Sequence, residues 1–416
     1  MFKKSVSALA FILSLSVLFT SCDRLYKNTN TGTQGKYLVS YKQVKVISQI
    51  EINTIFQYLK TLYPETDTLL QIAKKGNGVR VFSITYKTSF MGDTSVVASG
   101  LVCAPIGGDV YPLVSFQNGT YVLHADAPSV NPDLELYQFL EVTAATGFVI
   151  AIPDYIGFGS TSDTFHPYLD KESTVQCVID MLRATKELMQ KNDLNVNISN
   201  DLYITGYSMG GWATLQLQKA IETDYPDEFN LKASACAAGP YDLLYINNYI
   251  LNLDNYPMPY FIAYMLNSYT RLGDITNPLS DIINEPYASL IPTLFDGTID
   301  SDSINARLTT SVAGLFTPAY ITGSQSDPKF SSVRQTLLKN SIQAWNISTP
   351  LLLLHGEADD FVPEQVTENI YNNFINLGVS PAMIRLTTFP GLGHTEAIVP
   401  SGIASFLWFL QIQAAS

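Results

Sequence analysis

The apolar run Leu202-Tyr203-Ile204-Thr205 passes directly into Gly206-Tyr207-Ser208-Met209-Gly210, and a helix-like segment, 212–220, follows. A buried strand that turns sharply into a helix holds the residue at the turn in strained backbone geometry. Glycines two positions before and two after it remove the side-chain clashes that such a turn creates. Ser208 would then stand with its hydroxyl exposed at the end of a strand, the arrangement of a serine nucleophile elbow. This one feature demands a strand–turn–helix unit and names a candidate nucleophile.

A serine hydroxyl is a weak nucleophile until a base and an orienting acid activate it. The continuous apolar run 351–354 predicts a strand buried on both faces, and it leads into His355-Gly356-Glu357-Ala358-Asp359-Asp360-Phe361-Val362-Pro363. A second strand-like run, 383–389, closes in Pro390-Gly391-Leu392-Gly393-His394, ahead of the helix-like segment 397–413. Open parallel sheets present functional groups on loops at the carboxyl ends of their strands, which is where Asp359 and His394 fall. The chain holds only four histidines. His124, His166 and His355 do not follow the last strand, so His394 is the candidate base. His355 reads as a structural residue of the acid loop, and His166 as a loop or pocket-lining residue.

Strand-like runs near 79–88, 96–103, 113–116, 148–153, 202–205, 231–238, 351–354 and 384–389 alternate, in their later part, with helical patterns such as 174–188. That alternation predicts a mainly parallel sheet with helices on both faces. A helix-like stretch over 44–62 precedes the strands. From 240 to 347 the alternation stops, predicting a largely helical cap inserted before the acid-loop strand. Its tyrosines, Tyr241, Tyr245, Tyr249, Tyr256, Tyr260, Tyr264 and Tyr269, are either walls of a substrate pocket or the cap's own core. The organisation expected is thus a leader 1–21, a tether 22–40, a core from 41–239 and 348–416, and a cap 240–347.

The order Ser208, Asp359, His394 is that of the α/β-hydrolase fold. The acid loop, 355–363, resembles the His-Gly-x-x-Asp-x-x-Val-Pro stretch of that superfamily, and Gly391-Leu392-Gly393-His394 resembles its histidine loop. The stretch 150–160, with Pro153-Asp154-Tyr155 at its centre, together with His166-Pro167-Tyr168, Gln117-Asn118-Gly119-Thr120 and the position of the cap, is similar to the secretory lipase and related esterase branch. The resemblance implies an α/β-hydrolase fold and hydrolysis of a carboxylic ester through an acyl-enzyme. The four histidines are too scattered for a close-spaced zinc motif and there is no Cys-x-x-Cys pair, so no metal and no cofactor are expected. The resemblance selects Asp359 over its neighbour Asp360 as the triad acid. It also implies an oxyanion hole from the Met209 N–H and from the Gly119-Thr120 loop, with Thr120 supplying the second N–H. Asn118 stands where many superfamily members have histidine. An acylglycerol substrate and an acetylated or feruloylated glycan both fit this reading. A prolyl-type peptidase would need an acidic anchor for a peptide amino terminus, and a purely binding lipoprotein would not need the serine elbow.

Lys3-Lys4, the apolar stretch 8–19 and Phe19-Thr20-Ser21-Cys22 predict a leader too short to span a bilayer as a helix, ending in a sequence similar to a bacterial lipobox. Cys22 is then a candidate lipidation site, and the membrane a partner through that lipid. The expected location is the cell envelope, lipid-anchored or secreted. Two of the 24 basic residues lie in the leader, so the remaining chain is more acidic than the formal charge of −13. Such a surface argues against nucleic acid as a partner. Cys103, Cys177 and Cys236 fall in strand-like or helix-like runs and read as small buried hydrophobes.

Overall fold

The computed structural model describes residues 29–30, 35–73, 75–191 and 194–415. The expected leader and Cys22 lie outside the described residues. The strands are β1 (Thr29–Asn30), β2 (Leu38–Ile47), β3 (Val79–Phe90), β4 (Asp93–Pro105), β5 (Val110–Gln117), β6 (Val149–Pro153), β7 (Asn197–Tyr207), β8 (Asn230–Ala237), β9 (Leu351–Gly356) and β10 (Ile384–Phe389). They form one sheet in the order β1-β2-β3-β4-β6-β5-β7-β8-β9-β10. Pairing is antiparallel from β1 to β6 and parallel from β6 through β5 to β10.

The central strands read as unbroken apolar runs because both sheet faces are covered. Successive side chains of a strand point to opposite faces, and each face has its own core. In β9, Leu351 and Leu353 join one core while Leu352 and Leu354 join the other. In β6, Val149 and Ala151 separate from Ile150 and Ile152 in the same way. The first core packs under helices Lys171–Met189, Met209–Asp224 and Gln365–Asn376, and the second under Gln49–Leu62, Glu135–Ala144 and Ile398–Ala415. The last helix is apolar enough by length and composition to cross a membrane. Here Ile403, Phe406 and Phe409 of that helix are buried against the sheet.

Two sequence expectations need correction. Residues 44–47 belong to β2, and the helix expected from 44 begins at Gln49. Its boundary is set by a capping box: Ser48 Oγ accepts from the Glu51 N–H, and the Glu51 carboxylate accepts from the Ser48 N–H. The stretch expected as a tether up to residue 40 enters the sheet earlier. Thr29–Asn30 pairs with Lys42 and Tyr41, and β2 starts at Leu38, which is buried. The Glu187 carboxylate pins this start by accepting from the Leu38 N–H at 2.7 Å and the Tyr37 N–H at 3.0 Å. Such a contact across 149 residues leaves no local pattern in the sequence.

Between β8 and β9, residues 240–347 form helices and turns, led by Leu243–Leu251, Pro259–Leu272 and Ser331–Asn340. Tyr241 and Tyr269 are fully buried and Tyr256, Tyr260 and Tyr264 nearly so, whereas Tyr249 is exposed. Most of these rings are therefore the cap's own core.

Candidate active site

The residues singled out in the sequence gather at the carboxyl ends of parallel strands: Gly119 and Thr120 after β5, Ser208 after β7, Asp359 after β9 and His394 after β10. Ser208 has φ 59° and ψ −124°, left-handed backbone that a side-chain-bearing residue rarely adopts. The flanking glycines are required by close approach rather than by dihedral freedom. A Cβ at Gly206 would meet the carbonyl oxygens of Gly210 and Gln117, and one at Gly210 would strike the Gln117 carbonyl. The elbow is thus wedged against the end of β5. Helix Met209–Asp224 starts immediately after Ser208, whose side chain makes no capping bond and is left available.

The Ser208 hydroxyl lies 2.9 Å from His394 Nε2, and His394 Nδ1 lies 2.6 Å from Asp359 Oδ2. With Nδ1–H donating to the carboxylate, Nε2 is left to accept the serine proton. Asp359 is fixed from several sides. Its Oδ1 accepts from the N–H groups of Phe361 and Val362, both at 2.9 Å, and its Oδ2 lies 3.1 Å from His355 Nε2. His355 in turn donates from Nε2 to the Val362 carbonyl at 2.9 Å, with Thr367 Oγ1 2.6 Å from its Nδ1. It is therefore a structural member of the acid loop that also touches the acid. Asp360, one residue on, is exposed.

Burial by itself would raise the Asp359 pKa, but hydrogen bonds from His355 and His394 outweigh it and hold the carboxyl at about 2. A carboxylate depressed from the ordinary value near 4 stabilises the fold above that value and loses its contribution as pH falls toward 2. Because the side chain has no solvent exposure, this contribution is about 2 kcal/mol. Urea midpoints measured from pH 6 down to 2.5 should fall more steeply for the wild type than for Asp359→Asn; parallel curves would contradict the assignment of the shift.

The histidine ring is held between Tyr207 and Phe361, each centred 5.2 Å away. The Tyr207 hydroxyl donates to the His394 carbonyl at 2.5 Å, fixing the histidine loop to the end of β7. Gly119 packs beside the elbow: a Cβ there would stand 3.3 Å from the Tyr207 carbonyl oxygen and 3.8 Å from Ser208 Cβ. Thr120 Oγ1 is 2.8 Å from the Tyr168 hydroxyl. Asn118 is buried and donates from Nδ2 to the Pro153 carbonyl at 2.9 Å. Tyr155 donates to the Asn118 carbonyl at 3.3 Å and Tyr121 to the Asp154 carbonyl. The loop after β5 is thereby braced on the loop after β6, which gives the 150–160 stretch a physical role. Asp154 is itself held by Ser99 and Ser129. His166 is buried with Nδ1 2.7 Å from the Ile156 carbonyl, and burial lowers its pKa to about 4, so it stays neutral.

Ser208 opens into a cavity of about 50 Å³ whose walls include Tyr168, Leu243, Ile246, Ile250, Phe261 and Met265. Of the cap tyrosines only Tyr256 reaches this cavity, where its hydroxyl donates to the Phe361 carbonyl at 3.0 Å. Sequence reasoning missed the contacts of Tyr168 with Thr120 and of Tyr207 with the His394 carbonyl, which span 48 and 187 residues, and also the contact of His355 with Asp359 only four residues on. Cys103, Cys177 and Cys236 are buried and unpaired. Among the described residues no group of three His, Cys, Asp or Glu side chains is placed to hold a metal.

The profile of the secretory lipase family matches residues 124–410. Similar solved structures include a protein assigned as a hydrolase from Legionella pneumophila, at 25% identity, TM-score 0.78 and coverage of 91% of this chain and 98% of that one. The rice cell wall degrading esterase LipA from Xanthomonas oryzae aligns at 22% identity and TM-score 0.72, covering 91% and 97%. Candida antarctica lipase A in its closed state aligns at 16% identity and TM-score 0.63, covering 92% and 83%. No curated protein matches the chain in sequence. The family match covers well over half of the chain and runs from the loop after β5, through the elbow and the cap, into the final helix. The chain therefore belongs to the secretory lipase family and is a serine ester hydrolase of the α/β-hydrolase fold.

Proposed function

We propose that Ser208, His394 and Asp359 are the catalytic triad, and that the enzyme cleaves carboxylic esters through an acyl-enzyme. The observation that carries this reading is the continuous chain from Ser208 Oγ through both ring nitrogens of His394 to Asp359 Oδ2, at 2.9 and 2.6 Å. Ser208 Oγ attacks the ester carbonyl carbon as His394 Nε2 takes its proton, and Asp359 stabilises the imidazolium that forms. The developing oxyanion meets the N–H of Met209, at the first turn of its helix, and the N–H of Thr120 beside Gly119. Collapse releases the alcohol with a proton from His394, and water then repeats the sequence on the acyl-enzyme.

The apolar walls at Ser208 suit an aliphatic acyl group, and the 50 Å³ cavity suits a short one unless the cap shifts. A second reading, an ester whose alcohol is a sugar, is favoured by a polar cavity of about 220 Å³ bearing Arg271, Asp163, Asp296 and the ring of Phe295. Tyr264, in the wall of this cavity, stacks between Phe295, at 4.4 Å, and Tyr168, at 4.6 Å, and Tyr168 lines the Ser208 pocket, so a stack of rings links the two walls. LipA, a structural relative, is a cell wall degrading esterase. Hydrolysis rates for nitrophenyl esters from acetyl to palmitoyl, set beside acetylated and feruloylated glycans, decide between the two. Rates that peak on a short nitrophenyl ester support the first; a glycan ester turned over faster than any nitrophenyl ester supports the second.

Cys22 is proposed as the lipidated first residue of a cell-envelope enzyme, on the strength of the lipobox-like Phe19-Thr20-Ser21-Cys22 and the secretory character of the family. Cys22→Ala should abolish metabolic incorporation of labelled palmitate in a bacterial host. Incorporation equal to that of the wild type would leave the enzyme without this anchor.

A further inference from the structure

A second apolar cavity lies on the opposite face of the sheet from the Ser208 pocket. It measures about 240 Å³ and sits between helices Glu135–Ala144 and Ile398–Ala415, against the ends of β5, β7 and β8. Phe116, Phe139, Leu140 and Phe406 form its walls, and the half-exposed Leu136, Ile398 and Val399 stand where it meets solvent. An apolar cavity of roughly 150 Å³ already holds a benzene ring, so this one has room for several more carbons.

Two further observations restrict what would fill it. Ser401 contributes to the lining and is 2% exposed, yet its hydroxyl has no hydrogen-bond partner. A buried polar group left unpaired is costly, and a ligand hydroxyl could either donate to it or accept from it. The charged residues of the lining are Glu135 and Glu396, and no lysine, arginine or histidine is among the lining residues. Burial raises the Glu135 pKa, which shows that its surroundings already disfavour negative charge. A carboxylate would meet only further repulsion.

We propose that this cavity is a second binding site, separate from the Ser208 pocket, for a medium-chain aliphatic alcohol whose hydroxyl pairs with Ser401 and whose chain lies along Phe116, Phe139 and Phe406. The site does not depend on the chemistry assigned to Ser208. Its inner wall includes Tyr207, the residue whose hydroxyl holds the His394 carbonyl, so a bound chain rests against the support of the histidine loop.

The test is a thermal-shift titration of the full protein with 1-octanol and, in parallel, with sodium octanoate. Because a ligand that binds only the native state raises its stability, 1-octanol should raise the Tm in a saturable way and octanoate should not. Ser401→Ala should weaken octanol binding about fivefold to tenfold, the loss of one hydrogen bond, while slightly raising the Tm of the free protein because an unpaired hydroxyl is gone. Val399→Trp, which plugs the mouth, should abolish the octanol response, and Ile246→Trp, which fills the Ser208 cavity instead, should leave it intact. The proposal is overturned if octanol gives no shift, if octanoate matches it, if Ser401→Ala binds with wild-type affinity, or if Ile246→Trp removes the response. Should Val399→Trp fail to fold, Ser401→Ala and the octanoate comparison still decide.

Discussion

Ser208→Ala is expected to lower ester turnover by about 10⁶-fold, the scale seen when the nucleophile of a serine hydrolase is removed, and to end labelling by a fluorophosphonate probe. Three features support so large an effect. The hydroxyl is 2.9 Å from His394 Nε2, the backbone carrying it is held at φ 59°, and the helix that follows begins at the very next residue, Met209. Alanine fits the same backbone, so the variant should fold normally, and circular dichroism will check that it does. A labelled Ser208→Ala protein would mean that another serine reacts and that the elbow is only a turn.

Asp359→Asn is expected to cost about 10⁴-fold in turnover, because an amide cannot hold the histidine in the tautomer that leaves Nε2 free to accept. Asp360→Asn should stay within a few-fold of the wild type. Nothing in the amino-acid types separates these adjacent carboxylates, but their surroundings do. Asp359 has no exposed side-chain surface and accepts from two backbone N–H groups and His394, whereas Asp360 is exposed. Kinetic constants for the two variants, each verified as folded, check the prediction, and a reversed ranking would move the role of triad acid to Asp360.

What the sequence revealed and what it hid divide along a physical line. Ser208, Asp359 and His394 were legible because each sits in a local frame that carries its own signature: a buried strand, a turn rich in glycine or proline, and then a helix. The alternating assignment of Leu351 to Leu354 to two cores was legible as an unbroken apolar run. Tyr207 was not. Its contact with the His394 carbonyl spans 187 residues, and no neighbour of Tyr207 in the chain encodes it. The brace from Asn118 to Pro153 and the Glu187 clamp on Leu38 were hidden for the same reason. The start of the first long helix, by contrast, could have been found, since Ser48 and Glu51 form a capping box that outranks the apolar pattern running through Val44 and Val46.

The cap enters the chain after β8 and leaves it before β9, while the serine, the base and the acid each hang from a strand end of the sheet. The cap is thus one contiguous insert, whereas the side chains of the proposed triad are divided between the stretch before it and the stretch after it. A different insert joined at the same two points would leave every one of those strands in place, but it would still have to hold the acid loop, as the hydroxyl of Tyr256 now does at the Phe361 carbonyl.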